Sequence, residues 1–153
     1  MPELTERSST WRATILRYAP VLLWIGLIFY LSSYHGSMSA TSRFIKPLLQ
    51  FLFPTAPAET LQIYHGYVRK AAHCIEYAIL AILALRAFSR SSIGQVRKLR
   101  LILPLVLVAA VAVTDELNQS FEASRTGSVG DIVLDIAGGL VVMTIMWGRN
   151  RER

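Results

Sequence analysis

The stretch VRKAAHCIEYAILAILALRAF, Val68–Phe88, decides the fold of this chain. It is long enough to cross a membrane, because a transmembrane helix needs roughly 20 mainly apolar residues. Its first half, however, contains Lys70, His73 and Glu76. Ionisable side chains are costly in hydrocarbon, so in membrane proteins they normally face a bundle interior or a water-filled pocket. The stretch therefore predicts a membrane-spanning helix with a polar site near one end.

Three other runs have a similar apolar character. Hydrophobic residues make up 53% of the chain and charged residues 17%, whereas a soluble domain has about 25% charged residues. We therefore predict an all-α, polytopic membrane protein: a bundle of four transmembrane helices in a single domain, 1–153. The predicted membrane segments cover about 15–34, 68–88, 101–118 and 129–147. The first is longer than the apolar core of a cleaved signal peptide, which is the less favoured alternative.

A long connection joins the first two predicted segments. After a Ser- and Gly-rich stretch, apolar side chains recur around Pro47. They are Phe44, Ile45, Leu48, Leu49, Phe51, Leu52 and Phe53. This pattern predicts an amphipathic segment lying in the membrane interface, or a re-entrant piece. We expect His35 and His65, in the same connection, to be solvated or interfacial.

The basic residues predict the orientation. Most of the 16 Lys and Arg residues precede the first segment, follow the fourth or lie between the second and third. The positive-inside rule then places both termini in the cytoplasm and the long connection outside. Attraction of these residues to anionic lipid headgroups accounts for the net charge of +6, so nucleic-acid binding is not expected. The predicted localisation is the cell membrane, as a multi-pass protein.

Polar side chains of three predicted helices fall at the same, outer end of the bundle. Lys70, His73 and Glu76 lie within one stripe of the second helix at about 100° per residue. The third and fourth helices each carry a polar pair four residues apart, which places both members on one face: Asp115 with Gln119, and Asp131 with Asp135. Carboxylates outnumber cations here, which requires protonation, pairing or capture of a cation. Shared protons and a divalent cation, Mg²⁺ or Ca²⁺, both remain open.

Structural roles would also suit individual members of this set. Asp131 and Asp135 could complement a helix dipole, and His73 could make an interhelical hydrogen bond. Their combination on three helices at one end favours a functional site. Small residues at 137–139 would let the fourth helix approach its neighbours closely.

Two blocks contain most of these polar residues. The first is RKAAHCIEY, Arg69–Tyr77, and the second is TDELNQSF, Thr114–Phe121, followed by Arg125, Asp131 and Asp135. Together they resemble the VanZ-like family, small membrane proteins whose named member is associated with low-level resistance to the glycopeptide teicoplanin. The resemblance implies a four-helix membrane domain facing the cell envelope and supplies no reaction. Asp135 stands where the family commonly has an amide residue, so a carboxylate is not strictly implied there.

The leading hypothesis is a cell-envelope protein with an outward-facing polar pocket for a lipid headgroup, glycolipid headgroup or glycopeptide. Membrane lipids and a lipid-linked or glycopeptide ligand are its expected partners, and a link to teicoplanin resistance follows from the resemblance. The predicted ligand-binding residues are Lys70, Gln119, Arg125, Asp131 and Asp135. Arg69, Lys70 and Arg125 could pair with phosphate or carboxylate groups.

Two alternatives remain open, so whether the protein is an enzyme stays undecided. The first is an intramembrane enzyme that modifies an envelope lipid by acid/base or metal chemistry. Its catalytic candidates are His73, Glu76, Asp115 and Glu116, and its candidate metal ligands are Glu76, Asp115 and Asp131. The second is an ion-coupled transporter that uses the acids as a relay. The apolar run Leu101–Val113 argues against it, since a transport path needs polar residues across the whole depth.

Overall fold

The computed structural model describes residues 2–33, 37–121 and 128–151, and most of them are helical. In chain order the helices are α1 (Pro2–Ser32), α2 (Met38–Leu52), α3 (Ala58–Ser89), α4 (Gly94–Lys98), α5 (Ile102–Ser120) and α6 (Val129–Arg151). Four of these, α1, α3, α5 and α6, contain segments long and apolar enough to cross a membrane. The prediction of an all-α protein with four membrane helices is confirmed.

The helix α3 is central, because it packs against α1, α2, α5 and α6. Tyr77, Leu80 and Val108 are fully buried where α3 meets its neighbours. Many other large apolar side chains, including Leu22 and Leu23 of α1, point out of the bundle and are exposed. An exposed apolar surface of this extent suits hydrocarbon rather than water. The fold is that of a membrane protein with a narrow core.

Glycine allows α6 to approach α3 closely. A Cβ atom added to Gly138 would lie 2.8 Å from the backbone carbonyl oxygen of Cys74 on α3. At Gly139 an added Cβ would lie 3.1 Å from the Val108 side chain of α5. Small residues are the usual means by which membrane helices bring their backbones together. The expectation is confirmed for these two glycines, whereas Ala137 is exposed.

The helix α2 forms from the amphipathic part of the long connection. It begins after Ser37, whose hydroxyl accepts a hydrogen bond from the Ala40 amide at 3.2 Å, and it continues through Pro47. Phe44, Leu48 and Phe51 are exposed. A basic, apolar helix face of this kind suits the membrane interface, and that location stays a prediction.

The helix α3 begins at Ala58, well before the predicted membrane segment at Val68. Its additional turns pack against α2 and bury His65, whose Nε2 atom lies 3.0 Å from the Thr41 hydroxyl. The prediction of a solvated His65 is wrong, because α2 covers this side of α3, whereas a location at the membrane interface stays a prediction.

Candidate functional site

A cavity of about 110 Å³ opens where α5 ends and α6 begins, beside the first half of α3. We call it the headgroup cavity, after the ligand that the sequence predicts. Its lining residues are Gly66, Arg69, Lys70 and His73 of α3, Glu116 and Gln119 of α5, and Asp131, Leu134 and Asp135 of α6. The volume suits a few waters or one small polar group. It is smaller than the roughly 300 Å³ at which pockets begin to enclose a drug-sized molecule.

Helical periodicity explains why these residues converge. The α3 residues stand at positions i, i+3, i+4 and i+7, which form one stripe of a helix. The α6 residues stand at i, i+3 and i+4 and form a facing stripe. A Cβ atom added to Gly66 would meet nothing within 4 Å, so this side of the cavity is open.

The exposed side of the cavity carries an ion pair and a second cation. Lys70 Nζ donates to Asp131 Oδ1 at 2.6 Å, and the two side chains are 51% and 35% exposed. Such an exposed pair stabilises a fold by at most about 1 kcal/mol. Arg69 is attracted electrostatically by Asp131. Within the described part of the chain, Arg69 makes no direct ion pair or side-chain hydrogen bond, so its guanidinium is available to a ligand.

A buried hydrogen-bond network lies behind the cavity wall and ties α1 to α5. Ser32 Oγ donates to Asp115 Oδ2 at 2.6 Å. The Gln119 Nε2 amide donates to the same carboxylate oxygen at 2.9 Å and to Ser32 Oγ at 3.1 Å. This arrangement confirms that Asp115 and Gln119 share a helix face. Both donations come from the amide nitrogen of Gln119, a residue that also lines the cavity.

Glu116 links the end of α5 to the beginning of α6. Its Oε1 atom accepts a hydrogen bond from the backbone amide of Ser128, directly before α6. A carboxylate at a helix N-terminus is stabilised by the helix dipole and by the unpaired amides there. Glu116 is only 8% exposed and also lines the cavity. It therefore combines a structural role with a place in the site.

An imidazole and a carboxylate lie next to each other on α3. His73 Nδ1 is 3.7 Å from Glu76 Oε2. His73 lines the headgroup cavity, whereas Glu76 does not. The backbone carbonyl of Glu76 accepts a hydrogen bond from Trp24 Nε1 at 2.9 Å, which holds α1 against α3. The His73 side chain therefore lies beside the Glu76 carboxylate and also lines the cavity.

The cavity contains six of the predicted site residues: Lys70, His73, Glu116, Gln119, Asp131 and Asp135. Glu76 and Asp115 do not line it, and Arg125 lies outside the described residues. Among the residues that the structure describes, no three His, Cys, Asp or Glu side chains form a group that could hold a metal ion. The candidate metal ligands Glu76, Asp115 and Asp131 do not form such a group.

Sequence reasoning missed residues that support the site. Ser32 reaches Asp115 from α1, the Ser128 amide holds Glu116, and Leu134 forms an apolar part of the cavity wall. A polar residue at the end of an apolar run was the signal available for Ser32. For Leu134 the available signal was its position three residues after Asp131, on the same face of the helix.

Comparison with known protein families identifies the family of the chain. The sequence model of the VanZ/LLP1 family matches residues 18–149, a range that includes every residue lining the cavity. The chain belongs to the VanZ/LLP1 family. The resemblance predicted from the two sequence blocks is thereby confirmed. No curated protein and no solved structure matches the chain. Together with its four candidate membrane helices, VanZ/LLP1 membership makes this an envelope membrane protein of the VanZ type.

Proposed function

We propose that this VanZ/LLP1 protein binds the headgroup of an envelope lipid or glycolipid in the headgroup cavity. The observation that carries the proposal is a polar cavity at one end of an apolar helix bundle, with the Arg69 guanidinium at its wall and without a direct partner among the described residues. Guanidinium groups form strong paired hydrogen bonds with phosphate and carboxylate oxygens. The ligand class is therefore a lipid with an anionic headgroup.

The acidic side of the cavity favours a ligand that also donates hydrogen bonds. Asp135 is 3% exposed, and its Oδ1 atom has no hydrogen-bond partner among the described residues. A buried polar atom without a partner is destabilising, so a ligand that donates a hydrogen bond to it is favoured. We expect a headgroup that combines a phosphate or carboxylate with hydroxyl or ammonium donors, as phospholipid and glycolipid headgroups do.

Size and surroundings favour a lipid over a whole glycopeptide. About 110 Å³ accommodates one headgroup fragment, not a molecule as large as teicoplanin. Leu134 both lines the cavity and is 40% exposed on α6, so the polar interior borders the apolar surface of the bundle. A headgroup could enter there while its acyl chains stay among the membrane lipids.

Native mass spectrometry of the purified full chain tests this binding. We expect the wild-type protein to retain an anionic lipid and Arg69→Gln to bind it on the order of tenfold or more weakly, since hydrogen bonds to charged groups contribute about 1.5–3 kcal/mol. Arg43→Gln is the matched control, because Arg43 lies on α2 over the Phe44 ring and lines no described cavity. Equal lipid binding by all three proteins would refute the proposal.

A role in teicoplanin resistance belongs to the same proposal and has its own test. The protein is expressed in a glycopeptide-sensitive Gram-positive host, and susceptibility to teicoplanin and vancomycin is measured. Glu116→Gln and His73→Ala variants, matched for membrane abundance, are measured in parallel. Protection against teicoplanin that both variants lose would connect the cavity with envelope defence. Protection that survives in both would separate resistance from the cavity.

The position of His73 favours an enzyme as the second candidate. Its ring lines the cavity, and the Glu76 carboxylate lies 3.7 Å from Nδ1. An imidazole next to a carboxylate is a common arrangement for a general base. A modified lipid that accumulates with the wild-type protein and not with His73→Ala would support catalysis. If the protein retains lipid and no new lipid species forms, the enzyme candidate is rejected and the binding function remains. No comparable observation favours the ion-coupled transporter.

A further inference from the structure

A cavity larger than the headgroup cavity lies at the opposite end of the bundle, in a groove between α1 and α3. Its volume is about 440 Å³. The lining residues are Ala13, Leu16, Arg17 and Pro20 of α1, Leu83, Arg86 and Ala87 of α3, and Arg90 directly after α3. The residues of each helix stand three or four positions apart, so one stripe of each helix faces the groove. We call it the arginine groove.

The arginine groove is positively charged, and no acid among the described side chains lines it. Arg17 Nη1 is buried and has no hydrogen-bond partner among the described residues. The carboxylates whose side chains the structure describes are Glu59, Glu76, Asp115, Glu116, Asp131 and Asp135. None of them lines the groove. Three guanidinium groups with a desolvated donor among them favour an anionic ligand.

The remaining walls of the groove are apolar. The apolar lining comes from Leu16 and Ala13 of α1 and from Leu83 and Ala87 of α3. Pro20 has no amide hydrogen, so the Leu16 carbonyl lacks its usual helical donor and offers an acceptor next to Arg17. An ion alone would satisfy the arginines but would leave the apolar walls uncovered.

We propose that the arginine groove binds an anionic phospholipid, with the phosphate held by Arg17, Arg86 and Arg90 and an acyl chain lying along the apolar walls. Basic pockets between membrane helices are suited to anionic lipid headgroups. Because the arginines come from both helices, the bound lipid bridges α1 and α3. A ligand that binds only the folded state stabilises it, so this lipid strengthens the attachment of α1. This binding is independent of the headgroup cavity.

The test is a lipid titration of the delipidated, full-length protein by native mass spectrometry, with thermal unfolding measured in parallel. We expect phosphatidylglycerol to bind at least tenfold more tightly than phosphatidylcholine and to raise the unfolding temperature. Arg17→Gln should weaken phosphatidylglycerol binding about fivefold or more, since one basic residue near anionic lipid contributes about 1 kcal/mol. Ala13→Phe, which fills the groove without removing charge, should weaken it as well.

A control variant and a double variant keep the interpretation specific. Arg97→Gln removes an exposed charge from α4 outside the groove and should bind phosphatidylglycerol as the wild type does. Arg17→Gln should weaken binding by the same factor in an Arg69→Gln background, because Arg69 lines only the headgroup cavity. Equal binding of phosphatidylcholine, or an equal loss in Arg97→Gln, would overturn the proposal. Displacement of the lipid by millimolar inorganic phosphate would also overturn it, by showing an ion site that the acyl chain does not need.

Discussion

Replacing Gly138 with alanine tests the contact between α3 and α6 that supports the headgroup cavity. The added Cβ would lie 2.8 Å from the Cys74 carbonyl oxygen and 3.4 Å from its Cα atom. The obstruction is backbone and cannot be relieved by a rotamer change. To restore ordinary contact, α6 must move away from α3 by about 0.6 Å, which loosens the packing along both helices.

The energetic consequence can be bounded. Overpacking a close contact typically lowers the free energy of unfolding by about 1–3 kcal/mol. Alanine in place of glycine within a helix raises it by roughly 0.5–1 kcal/mol. Gly148→Ala, on the same helix, is the matched control, because an added Cβ at Gly148 meets nothing within 4 Å. It should show the favourable helix effect alone. The difference between the two variants is therefore about 1–3 kcal/mol, with Gly138→Ala the less stable.

The assay is equilibrium unfolding in mixed micelles, followed by tryptophan fluorescence. Gly138→Ala should also lose affinity for the anionic lipid, because Lys70 and Asp131 stand on the same two helices one to two turns away. Equal unfolding free energies for the two variants would refute the close approach of α3 and α6. Reduced stability with unchanged lipid binding would refute the dependence of the cavity on that approach.

Three further predictions concern single contacts. Ser32→Ala removes the 2.6 Å hydrogen bond to the buried Asp115 carboxylate and should lower the free energy of unfolding by about 1–3 kcal/mol, whereas Ser33→Ala, whose hydroxyl bonds locally, should change it little. Lys70→Gln should cost at most about 1 kcal/mol of stability, since its ion pair is exposed, yet it should weaken lipid binding several-fold by native mass spectrometry. Trp24→Phe removes the hydrogen bond to an α3 carbonyl and should lower stability by about 0.5–1.5 kcal/mol in thermal unfolding. A stability loss in Lys70→Gln as large as that in Ser32→Ala would contradict this ranking.

Much of the fold could be predicted because membrane burial leaves a simple pattern. Apolar runs of membrane length indicated four helices, and polar residues within those runs indicated one shared end. Periodicity also predicted which side chains share a helix face, as Asp115 and Gln119 do. These features depend on a single helix at a time, so sequence spacing is sufficient to predict them.

The rotation of each helix against its neighbours could not be predicted in this way. Asp115 and Glu116 are adjacent and differ by about 100° around α5, and only packing decides that Glu116 lines the cavity while Asp115 turns to Ser32 of α1. His65 illustrates the same limit, since its burial depends on α2 packing over the first turns of α3. Spacing along one helix does not contain this information.

The most direct test of headgroup binding is site-specific photocrosslinking to lipid. Leu134 lines the headgroup cavity, and Val141 is an exposed residue further along α6. Each is replaced in turn by the photoreactive amino acid p-benzoylphenylalanine, and the crosslinked lipids are identified by mass spectrometry after irradiation in membranes. At position 134 we expect the crosslinked lipids to be enriched in one anionic headgroup class, and Arg69→Gln should abolish this enrichment. At position 141 the crosslinked lipids should have the composition of the bulk membrane. The same bulk composition at both positions would contradict headgroup binding.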